Sequence, residues 1–589
     1  MELEKSNLGK IVDIKILRRL FPYIKPYTKQ FNILVILTFM LAVLIPARPY
    51  IVKSMIDGPI AESDFSGLIN FTFFLILLLV LQAIVQYFHT FLSSWLGQFV
   101  IKDIRVTLFR HIQNLRLSYF DKTPVGRLVT RTVSDIETLA EVFSQGIAGI
   151  IADTLQLLFI IGIMFYVDWR LALIIMATLP ILLLATYIFK EKIKSAFNQV
   201  RTAVSNLNSF VQEHITGMIV VQIFNSEKRE FEKFKEINKQ HLKANLKSVL
   251  YYSVYFPVAE VIQAVGIGMV VWYGGGEVLS ERLTLGTVIM FIMFINMFFR
   301  PIRMIADRFN TLQMGIVSST RIMDLIDKTN LVPNTGKKKI DQLYGDVVFE
   351  NVWFAYNNED WILKGMDFKI DRGQTLAMVG ATGSGKSSVA NLLNRFYEVN
   401  KGTIKIDGFD IQEYDLQDLR SCISVVLQDV FLFSDSVYQN ITLKNPRISK
   451  QKVMDAARLV GAEDFILNLP GGLEYDVKER GATLSVGQRQ LISFVRVMVH
   501  DPKLVVLDEA TSSVDGETET LIQEALKRLM KGRTAVIIAH RLATVQNADN
   551  IIVLEKGEIK EQGTHEELLA LNGYYSQLNK IQFKGITVS

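Results

Sequence analysis

The sequence predicts a multi-domain membrane protein: an all-α domain of six transmembrane helices, followed by a soluble α/β domain. Half of the 589 residues are hydrophobic, and the mean hydropathy is +0.26. The apolar residues of the first half fall in runs long enough to cross a bilayer. After "DKTNLVPNTGKKKI", residues 327–340, short β-branched runs alternate with amphipathic helical stretches, which is typical of an α/β domain.

Composition excludes several classes of protein. The net charge of +5 argues against nucleic acid as the main partner. Cys422 is the only cysteine, so an intramolecular disulfide and a multi-cysteine metal site are both excluded. The first thirty residues are basic but lack an apolar core followed by a cleavage site, so we expect no signal peptide.

Six hydrophobic runs reach the length of a membrane span. They lie near 31–53, 68–96, 143–167, 170–190, 250–273 and 284–305. The long segments after the second and fourth runs are rich in Lys and Arg, whereas the loop 54–66 carries Asp57, Glu62 and Asp64. Because basic residues mark the cytoplasmic side, both long segments and both termini are assigned to the cytoplasm. We expect a multi-pass protein of the bacterial inner (plasma) membrane.

The two long cytoplasmic segments show helical patterning, as in "IKDIRVTLFRHIQNL" and "KREFEKFKEINKQHLKANL". Membrane helices that continue well into the cytosol are the simplest interpretation. Pro124 and Gly126 interrupt the first segment within "FDKTPVGRL", and Gly217 interrupts the second within "EHITGMIVVQ". These breaks are either elbows that dock on a cytosolic domain or plain hairpin turns.

These patterns divide the chain into five parts. They are a cytosolic amino-terminal segment, a transmembrane domain, a linker, an α/β domain and a carboxy-terminal tail, at 1–30, 31–326, 327–340, 341–582 and 583–589.

A phosphate-binding loop is predicted at "GATGSGKS", residues 380–387, because the strand "TLAMVG" enters it and the helix "SSVANLLNRFY" leaves it. Glycines let backbone N–H groups converge on phosphate oxygens at a helix amino terminus. Lys386 supplies a point charge for the outer phosphates and Ser387 a hydroxyl for Mg²⁺. The predicted nucleotide-binding residues here are Gly380, Ala381, Thr382, Gly383, Ser384, Gly385, Lys386, Ser387 and Ser388.

A second carboxylate-bearing strand is predicted at "LVVLDE", which ends in Asp508 and Glu509. Asp508 suits the metal shell, and Glu509 is placed to polarise an attacking water. A solvated turn would explain the pair if it stood alone. Together with the phosphate loop, the pair favours Mg²⁺-dependent hydrolysis of a nucleoside triphosphate.

The order "GATGSGKS", "VVLQDVFLF", "LSVGQRQ", "LVVLDEATSSVD" and "AHR" resembles the nucleotide-binding domain of ATP-binding cassette (ABC) transporters. With six preceding membrane runs, nearly the whole chain resembles a half-transporter of the exporter type. "FDKTPVGRL" and "EHITGMIVVQ" resemble the two coupling helices of that family.

The resemblance implies further site residues. Tyr356 matches the aromatic residue that stacks on adenine, and Gln428 matches the glutamine that senses Mg²⁺ and the attacking water. Ser513 and Asp515 match the loop that communicates across the dimer, and His540 matches the histidine that contacts the γ-phosphate.

The resemblance also assigns "LSVGQ" to the signature motif, which binds the γ-phosphate of ATP held by the opposite subunit. Its residues here are Ser485, Val486, Gly487 and Gln488. Where the family more commonly has glycine, this chain has Val486. That difference is either harmless or a sign that the chain pairs with a different half-transporter, and the heterodimer is slightly favoured.

The resemblance implies ATP-driven export of amphipathic or hydrophobic compounds, drugs or lipids, by a dimer of half-transporters. A dedicated lipid flippase and, less favoured, an ATP-gated regulator or channel are the alternatives. Glu260 and Asp153 are ionisable residues within membrane runs and therefore candidates for the substrate pathway. Arg300 and Arg303 are expected to reach the interface. The Phe and Met residues of the sixth run are expected mainly to face lipid.

Overall fold

The fold is described from a computed structural model of the chain. It covers residues 14–142, 148–332, 334, 336–340, 342–357, 359–508, 516–538 and 545–584. The chain forms two compact units. We call residues 1–113 and 124–329 the helical unit, and residues 114–123 and 330–589 the α/β unit.

The first eleven helices of the chain lie in the helical unit, except for one short helix. They are α1 (Ile14–Ile24), α2 (Thr28–Met55), α3 (Phe65–Gln113), α5 (Val125–Thr132), α6 (Ser134–Glu141), α7 (Ala148–Val167), α8 (Trp169–Thr216), α9 (Met218–Ile223), α10 (Glu227–Leu279) and α11 (Leu285–Ile326), with α4 (Leu117–Lys122) in the α/β unit. Six of the helices are long and apolar enough to cross a membrane.

Three membrane helices are about twice the length that a bilayer requires. Helices α3, α8 and α10 contain 49, 48 and 53 residues, whereas about 20 residues suffice to span the hydrocarbon core. The prediction that these helices continue without interruption into the polar segments is therefore confirmed, and their length exceeds what a bilayer needs. The third predicted run begins at 143–147, which lies outside the described residues.

The sixth run forms the core of the helical unit. Phe291, Phe294 and Phe299 of α11 have no exposed surface, and they pack with apolar residues of α7, α8 and α10. The expectation that these aromatic residues mainly face lipid was therefore wrong. Hydropathy reports only that a side chain avoids water, and buried protein contacts satisfy that preference as well as lipid does.

Helix α2 is joined to the first turn of α11 by one half-buried carboxylate. Asp57, in the π-helical turn that follows α2, accepts hydrogen bonds from Gly286 N (2.8 Å) and Thr284 Oγ1 (2.6 Å). Lys53 Nζ lies 3.0 Å from the same carboxylate. A Cβ atom on Gly286 would lie 2.5 Å from Asp57 Oδ1 and 2.6 Å from the Lys53 carbonyl oxygen. This close approach therefore requires glycine.

In its described residues the α/β unit contains ten strands and the remaining helices. The strands are β1 (Val347–Ala355), β2 (Trp361–Ile370), β3 (Thr375–Gly380), β4 (Lys401–Ile406), β5 (Phe409–Asp410), β6 (Ile423–Val426), β7 (Leu504–Asp508), β8 (Thr534–Ile538), β9 (Asn550–Glu555) and β10 (Glu558–Gly563). The helices are α12 (Lys386–Leu393), α13 (Leu416–Cys422), α14 (Val437–Thr442), α15 (Lys450–Val460), α16 (Glu463–Leu467), α17 (Val486–His500), α18 (Gly516–Met530), α19 (His565–Ala570) and α20 (Tyr574–Lys584).

Two sheets organise this unit. One is antiparallel, in the order β2-β1-β4-β5. The other has the order β10-β9-β3-β8-β7-β6 and is parallel except for β10 at its edge. One apolar cluster joins the parallel sheet to α15, α17 and α18, and a second joins it to α12 and the antiparallel sheet. The central strands are therefore buried on both faces, which explains their continuous β-branched runs.

Candidate nucleotide-binding site

The predicted phosphate loop connects β3 to α12. Gly380 ends the strand and Lys386 begins the helix. Between them Gly383 and Gly385 have φ of +83° and +107°, a region that side chains with a Cβ rarely adopt. A Cβ on Gly380 would also collide with the Leu554 carbonyl oxygen. The glycines are therefore required by the backbone, and the loop ends at a helix amino terminus, which favours an anion.

The phosphate loop and the first turn of α12 carry several polar groups. Lys386 is buried, and its Nζ donates to the carbonyl oxygens of Gly380 (2.8 Å) and Ala381 (3.0 Å). The buried Ser384 Oγ has no hydrogen-bond partner among the described residues. Ser387 is exposed at the start of the helix. The loop thus holds a cation, a buried hydroxyl and a helix end in one place, which is a suitable set for phosphate oxygens.

The register of the parallel sheet brings the other predicted groups to the same edge. Met378 of β3 and Asp508 of β7 both lie opposite Ile538 of the intervening strand β8. Val426 of β6 lies opposite Leu507, so the exposed Gln428 follows at the level just beyond Asp508. Parallel strands end at one edge of a sheet, and ligands bind at that edge in α/β folds. The half-buried Asp508 and the exposed Gln428 therefore share an edge with the phosphate loop.

Four predicted residues fall outside the described part of the chain. Glu509, Ser513 and Asp515 lie within 509–515, directly after β7, and His540 lies within 539–544, directly after β8. Their predicted roles remain predictions.

The stretch "LSVGQRQ" begins α17. Ser485 caps the helix: its Oγ accepts from Gln488 N (3.2 Å), and the Gln488 side chain accepts from Ser485 N (2.9 Å). Val486 is the first helical residue, and 44% of its surface is exposed. A helical residue needs no glycine, so the backbone accommodates valine without strain. What the valine adds is an exposed apolar group at a helix amino terminus.

Comparisons with known proteins identify both units. Residues 31–302 match the family model for the ABC transporter transmembrane region, and residues 363–512 match the model for the ABC transporter. The chain is 39% identical over 571 residues to the "Uncharacterized ABC transporter ATP-binding protein YknV" of Bacillus subtilis, which covers 96% of this chain and 94% of that protein. This chain belongs to the ABC transporter family.

Other relatives in the family carry functional names. The chain is 34% identical over 570 residues to the "ATP-dependent lipid A-core flippase" of Syntrophus aciditrophicus, covering 97% of this chain and 95% of that protein. It is 37% identical over 513 residues to the "Probable multidrug resistance ABC transporter ATP-binding/permease protein YheH" of Bacillus subtilis, covering 86% of this chain and 75% of that protein. The predicted fold class and the predicted ATPase coupled to membrane transport are therefore confirmed.

In this ABC transporter the predicted adenine-stacking residue, Tyr356, lies beside the phosphate-loop helix. Its hydroxyl is 3.1 Å from Ser388 Oγ and accepts from Asn391 Nδ2 (3.2 Å). Its ring packs edge-on against Phe354 and Tyr397, with centroids 4.7 Å and 4.9 Å away. The sequence did not single out Asn391 or Tyr397, because only the fold brings them to Tyr356.

Helix α4, which carries part of "FDKTPVGRL", belongs to the α/β unit. The Tyr397 hydroxyl donates to Asp121, Lys122 Nζ donates to Asn357 Oδ1 (3.0 Å), and Arg116 pairs with Glu398 (3.4 Å). Burial, and then the Asp121 carboxylate, raise the pKa of Tyr397, so its hydroxyl remains a donor at physiological pH. A cavity of about 330 Å³ separates α4 from the segment around Tyr356.

The second break, at Gly217, separates α8 from α9. Ile219 and Ile223 of α9 are 66% and 71% exposed, and Phe224, at its end, is 73% exposed. A short helix with three exposed large apolar side chains is suited to a protein contact.

The predicted pathway residues lie on different helices. Glu260 is exposed on α10, and Asp153 is half-buried on α7. Nearby on α10, Gln263 Nε2 donates to Asn296 Oδ1 of α11 (2.7 Å). The sequence analysis missed this amide pair, although an amide within an apolar run is a signal that could have found it. Arg300 is exposed, and the side chain of Arg303 lies outside the described residues.

Proposed function

We propose that this ABC transporter is one half of an exporter that moves amphipathic compounds, drugs or lipids, out of the cell. The observation that carries the proposal is the shared sheet edge: the phosphate loop, Asp508 and Gln428 converge there in a chain that also carries six helices able to span a membrane. An ATP-driven pump requires a site for ATP hydrolysis and a membrane domain, and this chain is proposed to contain both.

The roles proposed for the described residues follow from their positions. Lys386 would exchange its loop carbonyls for the β- and γ-phosphate oxygens, and the loop N–H groups would hold the remaining oxygens. Tyr356 would stack on the adenine ring, at the open side of its aromatic cluster.

The side chains at this edge of the sheet are suited to bind Mg²⁺. Ser387 offers a hydroxyl, Asp508 a carboxylate and Gln428 an amide oxygen, all hard oxygen donors. Mg²⁺ usually takes several of its oxygens from substrate phosphates and water, so a few protein donors suffice. When bound, Mg²⁺ would neutralise charge that develops on the phosphates.

The hydrolytic roles rest on the sequence order alone. Glu509, which follows Asp508, is proposed to polarise the attacking water, and His540 to contact the γ-phosphate. Ser513 and Asp515 are proposed to communicate between the two halves.

A second chain is proposed to complete each ATP site. Ser485 and Gly487 would offer a hydroxyl and a backbone N–H from the start of α17 to the γ-phosphate of ATP held by the other chain, with Gln488 supporting the cap. Val486 places an apolar group among these donors. We therefore propose a heterodimer over a homodimer, with this chain's signature at the weaker of two sites.

The cargo class is proposed from the relatives and from the helical unit. One relative is named for a lipid and another for multidrug resistance. Glu260, exposed within the apolar part of α10, is proposed to face the pathway, as is Asp153. The proposed orientation has the α/β unit and both termini on the cytoplasmic side of a bacterial inner membrane, because basic residues mark the cytoplasmic side.

Reconstitution tests the ATPase. We expect the purified protein in liposomes to hydrolyse ATP only with Mg²⁺, and we expect Glu509→Gln to lower the rate by at least 100-fold while ATP still binds. Lys386→Ala should abolish ATP binding as well. Undiminished hydrolysis by Glu509→Gln would contradict the assigned base.

Purification from the native membrane tests the partner. If the protein is a heterodimer, a second, different half-transporter should be purified with this chain in an equimolar amount. Mass spectrometry identifies it. A complex of two identical chains with full, cooperative ATPase activity would contradict it.

A further inference from the structure

The hydroxyl of Tyr356 is held by two side chains of α12. Asn391 Nδ2 donates to it (3.2 Å), and Ser388 Oγ lies 3.1 Å from it. Because Asn391 is the donor in the first bond, the Tyr356 hydroxyl can use its own proton to bond Ser388 Oγ. The end of the tyrosine side chain is therefore fixed to the helix at two points. Neither the family resemblance nor the relatives' names assign a role to Asn391.

The two partners are neighbours on one face of α12. Ser388 and Asn391 are three residues apart, and side chains at that spacing lie side by side on a helix. Ser388 is buried and Asn391 is half-buried. Lys386, which begins the same helix, belongs to the phosphate loop. The two bonds therefore connect Tyr356 to the helix whose amino end is proposed to bind the phosphates.

The ring of Tyr356 is packed on part of its surface and open on the rest. Phe354 and Tyr397 pack edge-on against it, while 37% of the residue is exposed. Tyr356 comes directly after the end of β1, so the two hydrogen bonds restrict the rotation of a side chain that lies outside the strand. A ring that is ordered before a base arrives loses less conformational entropy when the base stacks on it.

We propose that Asn391 is a positioning residue for the adenine base of ATP. By holding the Tyr356 hydroxyl, Asn391 keeps the aromatic ring in one orientation relative to the phosphate loop, so that base and triphosphate are bound together. The role rests on the proposed function, in which Tyr356 stacks on adenine.

Asn391, rather than Ser388, is the partner expected to hold the ring while ATP is bound. Ser388 is itself among the predicted nucleotide-binding residues, and a phosphate oxygen would compete for its hydroxyl. Asn391 lies about 4.5 Å further along the helix, away from the amino end where the phosphates are proposed to bind. Its bond to Tyr356 is therefore compatible with a bound triphosphate.

Nucleotide binding to the purified full-length protein, with any native partner, tests this role. A non-hydrolysable ATP analogue displaces a trace of photoreactive azido-ATP from this chain, and labelling of this chain alone is measured. The concentration at half displacement then reports the affinity of this chain's own site. The loss of one hydrogen bond corresponds to about a fivefold change in affinity, so Asn391→Ala should raise that concentration about fivefold.

A double-variant cycle separates positioning from direct contact with ATP. Tyr356→Phe keeps the ring but removes the hydroxyl, so it should weaken binding as much as Asn391→Ala does. The double variant should bind no more weakly than either single variant. A further loss when Asn391→Ala is added to Tyr356→Phe would show that Asn391 contacts ATP itself, which overturns the positioning role. Equal binding by wild type and Asn391→Ala would also overturn it.

A matched control breaks a similar bond elsewhere in the chain. Asn245, half-buried in α10, donates to His241 Nε2 (2.9 Å), so Asn245→Ala should bind the analogue as wild type does. At saturating ATP, Asn391→Ala should keep kcat within twofold of wild type, because only binding is weakened. An equal loss of affinity in both asparagine variants, or a fall in kcat as large as the loss of affinity, would show general damage and overturn the proposal.

Tyr356→Ala separates this proposal from the proposed function. It removes the whole ring and should weaken binding more than Tyr356→Phe does. If Tyr356→Ala binds the analogue as wild type does, the proposed stacking on adenine is wrong, and the role of Asn391 fails with it. If Tyr356→Ala weakens binding while Tyr356→Phe and Asn391→Ala do not, the stacking stands and only the positioning role is overturned.

Discussion

At the scale of the residue, Ser485 has one observed role in the fold and one proposed role at a ligand site. Its hydroxyl caps α17, and the residue is exposed at the helix end that is proposed to contact ATP held by a second chain. Loss of such a cap costs about 1 kcal/mol of stability. A control is therefore needed to separate the effect of a Ser485 substitution on stability from its effect on nucleotide binding.

Thr564 supplies that control, since it forms the same capping box with Glu567 at the start of α19, and no site role is proposed for it. We expect Ser485→Ala and Thr564→Ala to destabilise the protein by a similar amount. In a Glu509→Gln background, ATP-induced dimerisation should need about tenfold more ATP with Ser485→Ala and an unchanged amount with Thr564→Ala. The same shift in both variants would contradict a direct phosphate contact.

At the next position, we expect replacement of Val486 to have the opposite effect on the ATP concentration needed for dimerisation. Its exposed side chain adds bulk beside the donors of the helix end, so Val486→Gly should lower the ATP concentration needed for dimerisation by at least threefold, and Val486→Ala should lie between. Cross-linking of the α/β units at rising ATP concentration measures this. If all three proteins dimerise at the same ATP concentration, the valine is harmless variation.

The sequence predicted much of this site because its signals are local. Glycine spacing between a strand and a helix specifies the phosphate loop, and strand ends place Asp508 and Gln428 at a common edge. It could not predict that Tyr397 contacts both Tyr356 and Asp121, since those contacts join residues far apart in the chain.

At the scale of the element, α4 is connected to Tyr356, the residue proposed to stack on adenine. Tyr397 makes this connection: its hydroxyl contacts Asp121 of α4 and its ring packs on Tyr356. Tyr397→Phe keeps the ring and loses the Asp121 contact, so we expect the KM for ATP within twofold of wild type but less ATPase stimulation by transported compounds. Tyr397→Ala should also raise the KM. A raised KM in Tyr397→Phe would contradict this division of roles.

The contact between α2 and α11 makes a second prediction at this scale. Gly286→Ala places a methyl group against Asp57 and the Lys53 carbonyl, which should lower the melting temperature in detergent by several degrees. Gly275→Ala on α10 is the control, because a Cβ there has nothing within 4 Å. It should be neutral or stabilising, since alanine favours helix. A melting temperature for Gly286→Ala equal to that of Gly275→Ala would contradict the close approach.

The sequence predicted the helices but not which parts of the protein they contact. Hydropathy predicted the six apolar helices seen among the described residues, and the patterning of the polar segments predicted that the helices continue, because both signals lie in consecutive residues of the chain. It could not decide whether Phe291 and Phe299 meet lipid or protein, because that depends on which helices surround α11. The assignment of residues 114–123 to the α/β unit likewise depends on tertiary contacts.

At the scale of the whole molecule, one chain carries a nucleotide-binding unit and, among its described residues, six helices long and apolar enough to cross a membrane. In the proposed mechanism ATP closes two halves on each other and hydrolysis resets them, so we expect the cargo to move only when both units work. An ATP-gated regulator would use the same parts without moving a solute. The two are distinguished by flux.

Flux into inside-out vesicles is therefore the most direct test of the central claim. Vesicles with this chain and any native partner are supplied with ATP, Mg²⁺ and either a fluorescent amphipathic cation or a fluorescent phospholipid. We predict ATP-dependent movement of at least one compound by wild type and none by Glu509→Gln, which still binds ATP. An ATP-dependent ion current in wild type, with no movement of either compound, would contradict an exporter.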